Sequence, residues 1–183
     1  MILFIDTHGE LITIALKTDN DLFVKTKESE YSHSIYTMPM IESLFKDNNL
    51  DVKQLKKIIV VNGPGSFTGI RIGVSIAKTM AYALNISINS ISSLTAYLVS
   101  SENKNKRKCV IEDNKGFYIS AFDEKNNVLV DEYYSTVDDL DLPIIKNELN
   151  INKIIDYCKT LDSENPHHVK ANYVKKIEVD HDK

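Results

Sequence analysis

Short apolar runs broken by polar turns open the chain, and their spacing predicts its elements. Ile2 to Ile5 is apolar and stops at Asp6-Thr7; Leu11 to Leu16 and Leu22 to Thr26 are rich in β-formers and flank the turn signal Thr18-Asp19-Asn20-Asp21. Three strands joined by tight turns follow from this. From Ser34 to Asn48, Ile35, Met38, Ile41, Leu44 and Phe45 recur at helical spacing around Pro39. Ile58 to Val61 is continuously apolar, as a strand buried on both faces must be. A glycine-rich turn, a long helix, a strand near Ile86 to Asn89 and a helix near Ser92 to Ser100 complete the order β-β-β-α-β-α-β-α.

The polar stretch Glu102 to Lys108 interrupts this, and the pattern then restarts. Lys108 to Ile111, Phe117 to Phe122 and Val128 to Tyr134 read as strands, Val137 to Leu149 as a helix interrupted at Pro143, and Lys153 to Tyr157 as a strand. The second half thus repeats the element order of the first in shortened form. Residues 1–101 are expected to form one lobe, 102–107 a hinge and 108–183 a shortened second lobe. The tail from Asn165 reads as a short helix that frays.

At 183 residues the length suits one or two small domains. A formal charge of −4 argues against broad, unaided binding of nucleic acid, which needs a basic surface. Cys109 and Cys158 are too few for a disulfide framework and suit a reducing compartment, where they read as buried thiols. No apolar run approaches the roughly 20 residues of a membrane span, and Met1 leads straight into a short run that is no signal peptide, so a cytoplasmic location is expected.

The segment Asn62 to Asn85, NGPGSFTGIRIGVSIAKTMAYALN, is the most informative. Its glycines miss both phosphate-binding patterns: Gly69 is followed by Ile70-Arg71 rather than Lys-Ser/Thr, and Gly63, Gly65 and Gly69 are spaced GxGxxxG. Ser66 or Thr68 can cap the helix that follows. At about 100° per residue, Arg71, Ser75, Lys78, Tyr82 and Asn85 form one narrow polar stripe. Gly69, Gly73, Ala77 and Ala81 recur along one edge, and the apolar arc is too wide for a helix with one buried side. A second cover is implied: another helix of the same domain, or another polypeptide admitted by the small residues.

These residues carry a resemblance. NGPGSFTGIRIG, Ile5-Asp6-Thr7 and His33-Ser34 with Met38-Pro39-Met40-Ile41 closely resemble the bacterial TsaB (YeaZ) family, the inactive, glycoprotease-like relatives of TsaD, over roughly residues 1–122. Asp113-Asn114-Lys115-Gly116-Phe117-Tyr118 resembles a shortened form of the family's second-lobe segment. The resemblance implies an actin-like (ASKHA) two-lobed α/β fold, each lobe starting β-β-β-α-β-α. It also implies a non-catalytic partner of TsaD and, through TsaD, of TsaE, in making N6-threonylcarbamoyladenosine in tRNA. The partner surface expected from the two helices comprises His33, Met38, Ile41, Phe67, Gly69, Ile70, Arg71, Gly73, Val74, Ala77, Lys78 and Ala81. The isolated chain is expected to pair with itself through the same surface. Gly73 is assigned to that interface rather than to the chain's own core.

The residues give little support to catalysis by this chain. No glycine lies after Gly116 to form a second-lobe loop against adenosine, and Glu10 sits where phosphate would approach Asp6. Asp6 reads as a strand-end aspartate holding a turn. No pair among His8, His33, His167, His168 and His181 has metal-ligand spacing of three or four, so no metal or cofactor is expected. His33, beside Tyr31 and Ser32, reads as a helix-start or interface residue. Lys104, Lys106, Arg107 and Lys108 read as a solvated hinge with no aromatic partner for bases, leaving tRNA contact indirect. A small ATP-dependent transferase of the actin-like superfamily is the alternative.

Overall fold

The computed structural model describes residues 1–29 and 32–175. Tyr31, His181 and the end of the expected terminal segment lie outside the described residues. The first half forms β1 (Ile2–Asp6), β2 (Leu11–Lys17), β3 (Leu22–Glu28), α1 (His33–Asp47), β4 (Lys57–Val61), α2 (Phe67–Leu84), β5 (Ser87–Ile91) and α3 (Ser93–Ser100). A short 3-10 turn, Val52–Gln54, precedes β4. The strands join in the order β3-β2-β1-β4-β5, antiparallel from β3 to β1 and parallel from β1 to β5.

Alternation along β1 and β4 assigns the two faces. Leu3, Ile5, Ile58 and Val60 meet α1 and α2 in one core; Phe4, Ile59 and Val61 face α3 and the second half in another. Both sets are buried, which is why β4 reads as an uninterrupted apolar run.

The second half holds a three-stranded antiparallel sheet of β6 (Arg107–Asp113), β7 (Gly116–Phe122) and β8 (Val128–Ser135), followed by α4 (Ile151–Lys159). Two expectations are corrected here. Residues 137–149 form no helix: Pro143 and Ile145 instead bond to the backbone of Lys108, so the segment lies along the edge of β6. Residues 153–157 are helical, not a strand. Ile151, Ile154, Ile155 and Cys158 share one buried face at helical spacing, and Asn150 caps the start by accepting from the Lys153 amide. Among the described residues the second lobe therefore runs β-β-β-α, without the further strand and helix expected of it.

Helices α3 and α4 pack together, and α3 also rests on β6 and β7. Leu94, Leu98, Cys109, Phe122, Ile154 and Ile155 share one apolar cluster with Phe4 and Ile59 of the first sheet. The two halves thus have a common core.

The expected solvated hinge is also corrected. Arg107 is fully buried and Lys108 nearly so. The Arg107 guanidinium donates to the carbonyls of Leu98 (3.0 Å), Asn105 (3.2 Å) and Asp123 (3.0 Å) and to the Asn126 side chain. It ties the end of α3 to the β7–β8 turn. Lys108 Nζ pairs with Asp138 (2.5 Å) and holds the irregular segment. Only Glu102 to Lys106 keep the solvated character of that stretch.

After α4, residues 161–175 form an irregular strap that returns to the first half. Glu164 bridges to Ile88 on the edge of β5, Asn89 Nδ2 donates to the Asp162 carbonyl (2.7 Å), and Val169 is fully buried beneath α2. No helix forms in 165–175, contrary to expectation: the His168 amide closes a single turn onto Asn165, and the Asn172 amide bonds the Asn62 carbonyl instead. No described helix is long and apolar enough to cross a membrane.

Replacing Arg107 with leucine leaves several buried carbonyls without a donor. A loss of at least about 3 kcal/mol is expected, a fall of roughly 6–12 °C in Tm for a chain of this size. Thermal or chemical denaturation measures it.

Candidate partner interface

The glycine-rich turn is built against the ends of β1 and β5. Gly63 has φ 109°, a conformation that side chains resist, and its carbonyl accepts from the Ser93 amide (2.9 Å). The Ser66 amide donates to the His8 carbonyl (2.7 Å), and Ser66 Oγ caps α2 by accepting from the Gly69 amide (3.2 Å). Thr7 Oγ1 then donates to the Gly69 carbonyl (2.7 Å). A Cβ at Gly69 would collide with the Thr7 carbonyl and sit 2.9 Å from His33 Nε2; one at Gly73 would collide with Thr7 Oγ1.

Helix α2 consequently has three faces. Gly69, Ile70, Gly73, Val74, Ala77 and Ala81 are buried against the first sheet and α1. On a second face, Arg71 stacks on Phe67 (3.6 Å to the ring centroid) and donates to Tyr173 Oη (2.8 Å). Lys78 donates to the Val169 carbonyl (2.9 Å), and Tyr82 meets His167 edge-on. This second face holds the strap. The third face is open: Thr68, Ser75, Thr79 and Ala83 are exposed, Ile72 is half-buried, and Ile35 of α1 is exposed.

Most of the expected interface is therefore corrected. His33, Ile41, Gly69, Ile70, Gly73, Val74, Ala77 and Ala81 are buried within the chain, because α2 lies so close to β1 that its small edge is used there. His33 Nε2 bonds the Gly9 carbonyl (2.8 Å). Of the remainder, Phe67, Arg71 and Lys78 touch the strap, and Met38 is half-buried against the first core. The second cover demanded by the wide arc is α1 and the strap, not another polypeptide.

Between the lobes lies a cleft of about 2050 Å³. At its floor the Asp6 carboxylate accepts from the His8 amide (3.0 Å) and pairs with His8 Nδ1 (2.6 Å), while His8 Nε2 meets Tyr97 Oη (3.1 Å). Asp6 thus holds the turn, as its place at a strand end suggests. Burial disfavours the His8 cation, but the charge of Asp6 and the hydrogen bond to it outweigh burial and leave the pKa raised. Burial, with the Asp6 charge, pushes the Tyr97 hydroxyl well up. Five carboxylates, Glu10, Glu28, Glu112, Asp113 and Glu132, line the walls. Cys109 and Cys158 are buried and free, their thiols pushed up mainly by burial. Among the described residues, no three His, Cys, Asp or Glu side chains gather as a metal-binding group.

A family model described as TsaD, tRNA N6-adenosine threonylcarbamoyltransferase, matches residues 24–153. The chain is 42% identical over 94 residues to the tRNA threonylcarbamoyladenosine biosynthesis protein TsaB of Bacillus subtilis. That match covers 51% of this chain and 41% of the relative, so it spans less than half of the relative's length. The protein of the same name from Buchnera aphidicola subsp. Acyrthosiphon pisum is 26% identical over 184 residues, covering 95% of this chain and 82% of the relative. The chain belongs to the TsaB (YeaZ) family. Its actin-like fold matches a Pseudomonas aeruginosa protein described as similar to peptidase YeaZ. The TM-score is 0.79 at 15% identity, over 95% of this chain and 99% of the other.

In this TsaB-family chain, His8, Tyr97, Glu132 and the strap were not singled out from sequence. The Asp6-Thr7-His8 spacing carried a signal for His8, since an aspartate commonly bonds the amide two residues on. Tyr97 and Glu132 carried none, lying 89 and 40 residues from the groups they contact.

Two predictions follow from this geometry. Gly73→Leu should overpack the contact with Thr7 and destabilise the fold by about 3 kcal/mol or more, rather than leave a stable monomer; a melt within a degree of wild type would contradict it. Because His8 titrates higher folded than unfolded, its contribution is fully present below the unfolded value of about 6.5. It is lost as pH rises through the raised folded value. Chemical denaturation across that range should show falling stability in wild type and a flatter profile in His8→Gln.

Proposed function

We propose that this chain is a non-catalytic accessory subunit in the formation of N6-threonylcarbamoyladenosine in tRNA. It docks a TsaD-like partner and, through that partner, a TsaE-like protein. The carrying observation is the open face of α2: Thr68, Ser75, Thr79 and Ala83 form an exposed strip of small residues at helical spacing beside half-buried Ile72, and exposed Ile35 on α1 adds aliphatic surface. Small side chains let a partner helix approach closely, and the aliphatic surface offers area to bury. Residues 1–101 are then the docking lobe. The names carried by the family's relatives supply the pathway.

The cleft supports the non-catalytic reading. Five carboxylates against Lys115 and Lys175 leave its lining net acidic, which disfavours the phosphates of a nucleotide, and the turn at residues 62–66 spends its groups on His8, Ser93 and Gly69. Alone, the chain is expected to use the same open face for a second copy, as homodimers commonly form self-complementary pairs.

Ser75→Arg and Ala83→Arg place large charged groups on exposed positions and should leave the melt within a few degrees of wild type. Affinity for the TsaD-like partner from the same organism should fall at least about tenfold, as expected when a central contact is blocked. Calorimetric titration measures it. Binding equal to wild type in both variants would remove the open face from the proposal, and saturable binding of ATP with magnesium by the isolated chain would favour a transferase.

A further inference from the structure

Three residues of the polar stripe of α2, Arg71, Lys78 and Tyr82, meet the strap, while Ser75 belongs to the open strip. Lys78 binds the carbonyls of His167 (3.4 Å) and Val169 (2.9 Å), and Asn62 Nδ2 binds that of Lys170 (3.1 Å). The Asn62 carbonyl accepts from the Asn172 amide (2.7 Å). Beyond Asn172 the strap crosses to the second lobe. Asn172 Nδ2 donates to Glu132 Oε2 (2.8 Å), and Lys175 lies over the Tyr134 ring, 3.5 Å from the Asp113 carboxylate. The other Glu132 oxygen accepts from Ser92, the residue that caps α3. One segment thus touches the first sheet, α2, the capped start of α3 through Glu132, and β8, at the mouth of the cleft.

The strap's construction differs from that of the rest of the chain. Val169 is its single fully buried apolar residue; from 161 to 175 most positions are exposed and none is in regular structure. Its hold is largely hydrogen bonds between side chains and backbone at the surface. Segments with few buried apolar contacts and exposed hydrogen bonds open well below the free energy of global unfolding.

We infer that residues 161–175 are a strap that opens as one unit, with Val169 as its peg and Asn172–Glu132 as its latch, and that its opening withdraws Asn172 to Lys175 from the wall of the cleft. Closed, it occupies the Arg71–Lys78–Tyr82 stripe and ties β8 to the glycine-rich turn. Open, it releases one oxygen of the Glu132 carboxylate and the Asn62 side chain together, and frees the second lobe from α2 while the shared core and the Ser92–Glu132 contact stay intact.

Limited trypsin digestion and hydrogen exchange of the full chain test this, using Val169→Ser against the peg and Asn172→Ala against the latch. Cleavage after exposed Lys170 should accelerate at least tenfold in Val169→Ser, with the Glu164 and Asn172 amides exchanging faster by a similar factor in both variants. The amides of β1, β4 and α3 should hold their wild-type protection. The β8 amides nearest Glu132 should loosen with the strap. Unchanged cleavage and exchange would overturn the inference, showing the strap to be as stable as the core. Equal acceleration throughout the chain would also overturn it, since the strap would then open only by global unfolding.

Discussion

The closeness of α2 to the end of β1 is the constraint on which the remaining geometry rests. Thr7 Oγ1 reaches the Gly69 carbonyl at 2.7 Å, and no side chain at Gly69 or Gly73 would leave room for that contact. A glycine inside a helix costs about 1 kcal/mol relative to alanine, and here two of them offset that cost through contact with the sheet. The rotation of α2 is thereby fixed. Its small edge faces β1 and His33, Arg71, Lys78 and Tyr82 of its polar stripe face the strap, and Thr68, Ser75, Thr79 and Ala83 are left outward.

The first half was legible because its signals are local. Strand alternation, the Pro39-bearing helix and the Ser66 cap each arise within a few residues, and the observed bounds of β1 to α3 agree with the expected ones to within two residues or so. The second half was less legible because distant partners decide it. Residues 137–149 have enough apolar positions to read as a helix, yet the Lys108 backbone and the Lys108–Asp138 pair hold them as an irregular segment along β6. In Lys153 to Tyr157, Ile154 and Ile155 fit a strand as well as a helix until Ile151 and Cys158 are included. The α2 faces were misassigned for a related reason. Helical periodicity gives the width of an apolar arc but not which neighbour covers it. The covers here come from α1 and from Val169, nearly a hundred residues further on.

Arg107 and Glu132 act on α3 from opposite ends. The guanidinium binds the Leu98 carbonyl in its last turn, and the carboxylate accepts from Ser92 and lies 3.5 Å from Thr95 Oγ1 in its first. Both signs complement the helix dipole. An eight-residue helix is short for independent stability, and α3 draws its stability from these two charges and from burial between the sheets. Neither residue carries a helix-like signal of its own, so charge complementarity across the two halves could not be read before the fold was known.

The shared core has a consequence for how the polypeptide comes into being. Phe4, Ile59 and Val61 present one face of the first sheet to Ile154, Ile155 and Cys158 of α4. A ribosome making about 5–20 residues per second needs several seconds after finishing α3 to deliver α4. During that interval α3 is the sole cover made for this face of the sheet, and part of its aliphatic surface stays open. Nascent chains in this window are candidates for a chaperone's attention, and a stall between residues 101 and 150 would leave a lobe whose strands are paired but whose second face has α3 without α4.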